Sequence, residues 1–103
     1  VYGLLSATSV NSINRNDTGT FLNQNIPNPA MQSTKIEFGV SKPAKVQITL
    51  FHMDGTRIKT LFQGNVNDRV TVDFNTSFLP SGMYLYQLVT DHAVLTRSLL
   101  VIN

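Results

Sequence analysis

Three stretches of this chain alternate apolar and polar residues with a period of two, and no other feature narrows the fold as far. Ile36, Phe38 and Val40 alternate with Lys35 and Glu37; Val46, Ile48 and Leu50 alternate with Lys45, Gln47 and Thr49; Val70, Val72 and Phe74 alternate with Arg69, Thr71 and Asp73. Successive side chains of a strand point to opposite faces, so each stretch reads as a half-buried β-strand with one face on a core. No segment sustains an apolar stripe at i, i+3, i+4, i+7, which limits helix to a turn or two. Turn chemistry separates the stretches at Ser41-Lys42-Pro43, Asp54-Gly55, Gly64-Asn65, Asn67-Asp68 and Pro80-Ser81-Gly82,. Strands punctuated every ~8 to 12 residues describe an all-β sandwich.

The last third differs from the rest. Two β-rich runs, Met83 to Thr90 and Ala93 to Ile102, flank Asp91-His92 and read as a terminal hairpin,. Both runs are apolar on both faces. In the final one Leu95, Leu99 and Val101 point one way and Val94, Leu100 and Ile102 the other, with Arg97 the only charge. Two-sided apolarity means a central strand or a surface that meets a partner, including a second copy paired through the last strand. Arg57 to Phe62 is less regular, because Ile58 and Leu61 lie three apart, and a bulge or a short turn of helix would reconcile them,.

The length of 103 residues matches one compact domain,. Asn11 to Thr20 is polar, turn-rich and without period, so residues 1–19 read as a linker or the end of a preceding domain and residues 20–103 as the folded unit,. The chain opens on Val1 rather than Met and reads as part of a longer protein. No stretch approaches the ~20 apolar residues of a membrane-spanning helix. Eight Lys and Arg against six Asp and Glu are dispersed along the chain, whereas nucleic-acid binding needs clustered positive charge,. The absence of cysteine removes disulfides, thiolate metal sites and a Cys nucleophile,.

Catalytic equipment is not visible. His52 and His92 stand apart from other ligand-type residues, so no metal or cofactor site is expected. Asp17, Glu37, Asp54, Asp68, Asp73 and Asp91 fall in loops or at polar strand positions, and a small sandwich leaves little room for two of them to face each other across a cleft,. Tyr84 and Tyr86 share one face of their strand; exposed, they would form a stacking platform for carbohydrate, but beside Met83, Leu85 and Leu88 they read as core residues with hydroxyls at the rim.

Taken in order, Leu22-Asn23-Gln24-Asn25-Ile26-Pro27-Asn28-Pro29, Thr34-Lys35-Ile36-Glu37-Phe38, Asp54-Gly55, Leu79-Pro80-Ser81-Gly82-Met83-Tyr84-Leu85-Tyr86 and Arg97-Ser98-Leu99-Leu100-Val101 resemble the C-terminal sorting domain (type A) of type IX secretion cargo proteins in Bacteroidetes. The ordered set, not any one piece, carries the resemblance. Ile26 and Ala30 stand where that family usually has aromatics, Arg97 where it usually has Lys, and Asn103 where a basic residue is common.

The resemblance implies an immunoglobulin-like antiparallel β-sandwich of about seven strands. It also implies a non-catalytic export signal, carried by its host through the periplasm and then to the cell surface or the medium. The implied partners are the translocon, shuttle and sortase proteins of that pathway. Candidate recognition residues are Leu79, Pro80, Gly82, Tyr84, Tyr86, Arg97, Leu99, Leu100, Val101 and Ile102; candidate sortase-cleavage residues are Val10, Asn11, Ser12 and Asn16. The competing expectation is an immunoglobulin-like or fibronectin-like interaction or carbohydrate-binding module of a secreted protein, which would need Tyr84 and Tyr86 exposed.

Overall fold

The computed structural model describes residues 19–103. Strands form over the three period-two stretches and in five further segments: β1 (Phe21–Leu22), β2 (Ile26–Met31), β3 (Ser33–Gly39), β4 (Ala44–His52), β5 (Arg57–Val66), β6 (Arg69–Asn75), β7 (Gly82–Val89) and β8 (Val94–Val101). No helix occurs among the described residues. The irregularity anticipated after Arg57 is a bulge: the β4–β5 register shifts between Ile48 and Thr49 and again between Leu50 and Phe51,.

Two antiparallel layers face each other. In one, β3 is central, with β6 along its full length from Ser33↔Asn75 to Gly39↔Arg69. The other edge of β3 takes β1 at Gly39 and Phe38, then β2 at Lys35 and Ser33, so two short strands share one edge. A Cβ at Gly39 would sit 2.6 Å from the Phe21 ring and 2.8 Å from the Asp68 carbonyl oxygen, so only glycine admits β1 here. The second layer runs β5-β4-β7-β8. β2 then leaves the first layer and joins the second by a parallel pairing of Ala30 with Val101, reinforced by Ile102 N donating to Ala30 O at 2.9 Å.

The inward positions are the apolar ones that alternation selected. Ile36 and Phe38 of β3 meet Val46, Ile48 and Leu50 of β4 and Tyr84, Tyr86, Leu88, Leu99 and Val101 of the hairpin in one buried cluster. Burying a side chain of this size contributes roughly 1.5 to 3 kcal/mol, and the set is the main support of the sandwich. Lys35–Asp73 and Arg69–Glu37 pair across the outside of β3 and β6 at 3.9 and 3.3 Å, exposed and therefore minor terms,.

β1 and β2 escape the alternation rule. Pro27 and Pro29 lie within β2, where a central strand would exclude them, and both are preceded by cis peptide bonds,. Side-chain amides take the place of the missing backbone pattern.

Candidate functional site

The turn that feeds β7 is built by local hydrogen bonding. Ser77 N donates to Asn75 Oδ1 at 2.8 Å and Leu79 N to Thr76 O at 3.0 Å, so the chain reverses before Pro80,. Gly82 has φ of +153°, a left-handed conformation that side chains resist, and it releases the chain into β7,. Tyr84 and Tyr86 then fall on the inner face. The Tyr84 hydroxyl donates to Pro80 O at 2.5 Å and fixes the turn against its own strand.

Tyr86 is fully buried, and its hydroxyl donates to Asn23 O at 2.7 Å. Burial pushes its ionisation well above the usual phenol range, so the group stays neutral and remains a donor,. Buried tyrosines offer no stacking platform, and nothing else among the described residues points to a carbohydrate module.

Tyr86 is one part of a clasp between the first motif and the last strand. Arg97, across from Tyr86 in the register, faces the same inner side, and its Nε donates to Leu22 O at 2.8 Å. Gln24 Nε2 donates to Ser98 O at 2.6 Å, and Leu100 N donates to Asn28 Oδ1 at 3.1 Å. Behind these contacts Asn25, 1% exposed, donates from Nδ2 to Pro27 O and Thr34 Oγ1, while Thr34 Oγ1 donates to Pro27 O at 2.8 Å. The buried amide and hydroxyl satisfy each other, which is the condition for keeping polar groups in a core.

Asn103 closes the far end. Its Nδ2 donates to Thr76 O at 3.0 Å and Leu79 O at 2.7 Å, its N donates to Ser81 Oγ at 2.8 Å, and its Oδ1 accepts from Gln32 N at 3.3 Å.

The outer face of the hairpin is apolar and open. Ala30, Val101 and Gly82 lie side by side across three strands, with Ala30 and Val101 pointing inward. The residues next to them therefore point outward: Met83 beside Leu100, then Ile102, with Met31 on the neighbouring β2. Met83 and Ile102 are each 45% exposed and Met31 67%. Leu85 and Phe51, paired across β7 and β4 and half-buried, extend the patch.

The ten anticipated recognition residues thus separate by burial. Leu79, Tyr84, Tyr86, Leu99 and Val101 are core; Pro80, Arg97 and Ile102 are exposed; Gly82 and Leu100 are intermediate. Val10, Asn11, Ser12 and Asn16 lie outside the described residues. Gln24, Asn25, Asn28, Thr34 and Asn103 were not anticipated as working residues. For the first three the only signal was their place in a proline-rich motif, since a side-chain amide that replaces a backbone bond leaves no periodicity; Asn103 left none. Among the described residues no three His, Asp or Glu side chains gather to hold a metal ion.

No curated protein and no solved structure matches this chain. A family model does, described as the secretion system C-terminal sorting domain, over residues 25–103. The match begins at Asn25, the buried centre of the clasp, and runs through the whole closing hairpin. The chain accordingly belongs to the secretion system C-terminal sorting domains, the C-terminal signal for export by type IX secretion.

Proposed function

We propose that residues 20–103 form the sorting domain and that the translocon recognises it through the outer side of the β7–β8 hairpin. The supporting observation is the patch formed by exposed Met31, Met83 and Ile102 around half-buried Leu100, which leaves apolar surface in water at the end of the sandwich where β2, β7 and β8 meet. Patches of this kind on a small domain mark interaction sites. Pro80 lies on the turn beside it, while Arg97, tied to Leu22 O, acts with Leu79, Gly82, Tyr84, Tyr86, Leu99 and Val101 by holding the hairpin in shape. The domain itself carries out no chemistry. Its host passes through the periplasm, meets the shuttle and sortase components there and at the outer membrane, and ends at the cell surface or in the medium. Val10, Asn11, Ser12 and Asn16 belong to the segment where a sortase cuts, because polar turn-rich segments are where proteases act.

The deciding experiment fuses residues 1–103 to the C-terminus of a periplasm-exported fluorescent protein in a type IX secretor. Fluorescence at the surface or in the medium, lost when the translocon is disabled, is expected. Paired substitution of Met83→Ser and Ile102→Ser should reduce delivery while the thermal midpoint stays within a few degrees. Unchanged delivery would move the recognition site elsewhere.

A further inference from the structure

Each free edge of a sheet exposes unpaired backbone groups, and natural domains guard such edges with charge, bulges or proline. Two of the free edges here are guarded: β5 is bulged and carries Arg57 and Lys59, and β6 carries Arg69 and Asp73. The edge of β8 is different. Its register with β7 is regular from Val94 to Val101, and Val94, Thr96 and Ser98 are exposed and uncharged. Arg97, the one charge on the strand, faces inward and is tied to Leu22 O.

The hydrogen-bond pattern shows which groups face the open side. Ile102 N reaches the Ala30 carbonyl, Leu100 N the Asn28 side chain, and the Gln24 side chain reaches Ser98 O, all away from β7. Odd-numbered residues face β7, as Ala93 does in accepting from Thr90 N. With a period of two, the backbone groups of Thr96 and Val94 point outward as well, and beyond Ser98 this edge pairs with no strand among the described residues,.

We infer that the β8 edge at Val94 and Thr96 is a strand-addition site, taken by an extended segment of a partner polypeptide in the export machinery. This rests on the sorting reading given above. The occupant is identified by what already sits on the same edge: at Ser98 and Leu100 two primary amides, Gln24 and Asn28, supply the N–H donor and C=O acceptor that a neighbouring backbone would supply. The edge is read by amide chemistry, and its open half presents the same groups unpaired. A symmetric second copy fits less well. Antiparallel pairing about Thr96 would bring the Asp91-His92 turn of each copy against Gln24 and Asn28 of the other after five residues, whereas a free extended segment meets no such flank.

The test has two parts. Amide hydrogen exchange on the 103-residue chain should show Val94 and Thr96 exchanging at least tenfold faster than Leu95 and Leu99. Equal protection would mean that the edge is already occupied, by a second copy or by residues 1–18 as sedimentation would decide, and would overturn the inference. The exported fusion is then compared with its Thr96→Pro variant, which removes an outward N–H at an edge position where proline is tolerated. Delivery should fall at least tenfold with the fold retained by circular dichroism. Should Thr96→Pro fail to fold, Val94→Lys with Thr96→Lys guards the edge by charge and is expected to give the same loss. Wild-type delivery by a folded variant would overturn this inference alone; failure of the unmodified fusion to leave the periplasm would overturn the sorting reading and this inference with it.

Discussion

On the inner face of the β7–β8 hairpin, Tyr84, Tyr86, Leu88, Leu99 and Val101 are almost wholly out of water; on the outer face, Met83, Val89, Val94 and Ile102 keep 40% or more of their surface exposed. The two sets come from the same two strands and are similarly apolar. Their different fates show that apolarity has two uses in this hairpin. The inner set holds two layers together, and its removal is felt as lost stability. The outer set contributes less to folding, because an apolar group that stays half in water has gained only part of the transfer energy,, and its removal should be felt in delivery.

Substitutions should follow that division. Tyr86→Ala removes a buried ring together with the hydroxyl bond to Asn23, and a loss of about 4 kcal/mol is expected from the denaturation midpoint, a large share of the stability of a domain this size. A loss below about 1 kcal/mol would break the comparison. Leu99→Ala should cost about 3 kcal/mol, against about 1 kcal/mol or less for its half-exposed neighbour Leu100→Ala. Paired equilibrium unfolding curves would read the difference directly.

Asn25→Ala probes the clasp that supports the inner face. It leaves the Pro27 carbonyl and the Thr34 hydroxyl each short of a partner, and about 2 kcal/mol should be lost. Thr34→Val introduced with it should deepen the loss, because the Pro27 carbonyl then has neither of its side-chain donors,.

Tyr86→Phe is a smaller change, about 1 kcal/mol for the missing hydrogen bond, with a pH signature. Burial raises the folded-state pKa of Tyr86 above the ordinary phenol value of about 10. The unfolded chain therefore releases the proton first. Stability is fully present below pH ~10 and falls as pH rises beyond that value, since only the unfolded state ionises there. Unfolding curves from pH 8 to 11 should decline for the wild type and decline less for Tyr86→Phe. Met83→Ser, on the outer face, should change stability by no more than about 0.5 kcal/mol.

How much of this was legible beforehand depends on how each residue is held. The β3, β4 and β6 strands alternate strictly, and alternation reports burial directly, so Ile36, Phe38, Val46, Ile48, Leu50 and Phe74 could be assigned to the core from their spacing. The paired tyrosines were legible for the same reason, with both hydroxyls reaching backbone carbonyls at the margin of the core. β1 and β2 were not. Leu22 to Met31 has no period, two prolines and several polar amides, and it is a strand only because β3 and β8 provide partners on both sides.

The sequence by itself determined the all-β class, the positions of the main strands and turns, and, through the order of its motifs, membership among the sorting domains. Those properties are local or periodic, and each is set within a few residues of chain. Tertiary structure alone decided which face of the last strand is buried. It also turned Arg97 toward Leu22, and it placed Gln24 and Asn28 on the edge of a strand more than 70 residues away. The physical reason is that a hydrogen bond between distant segments depends on how two layers meet, and no spacing within either segment records it.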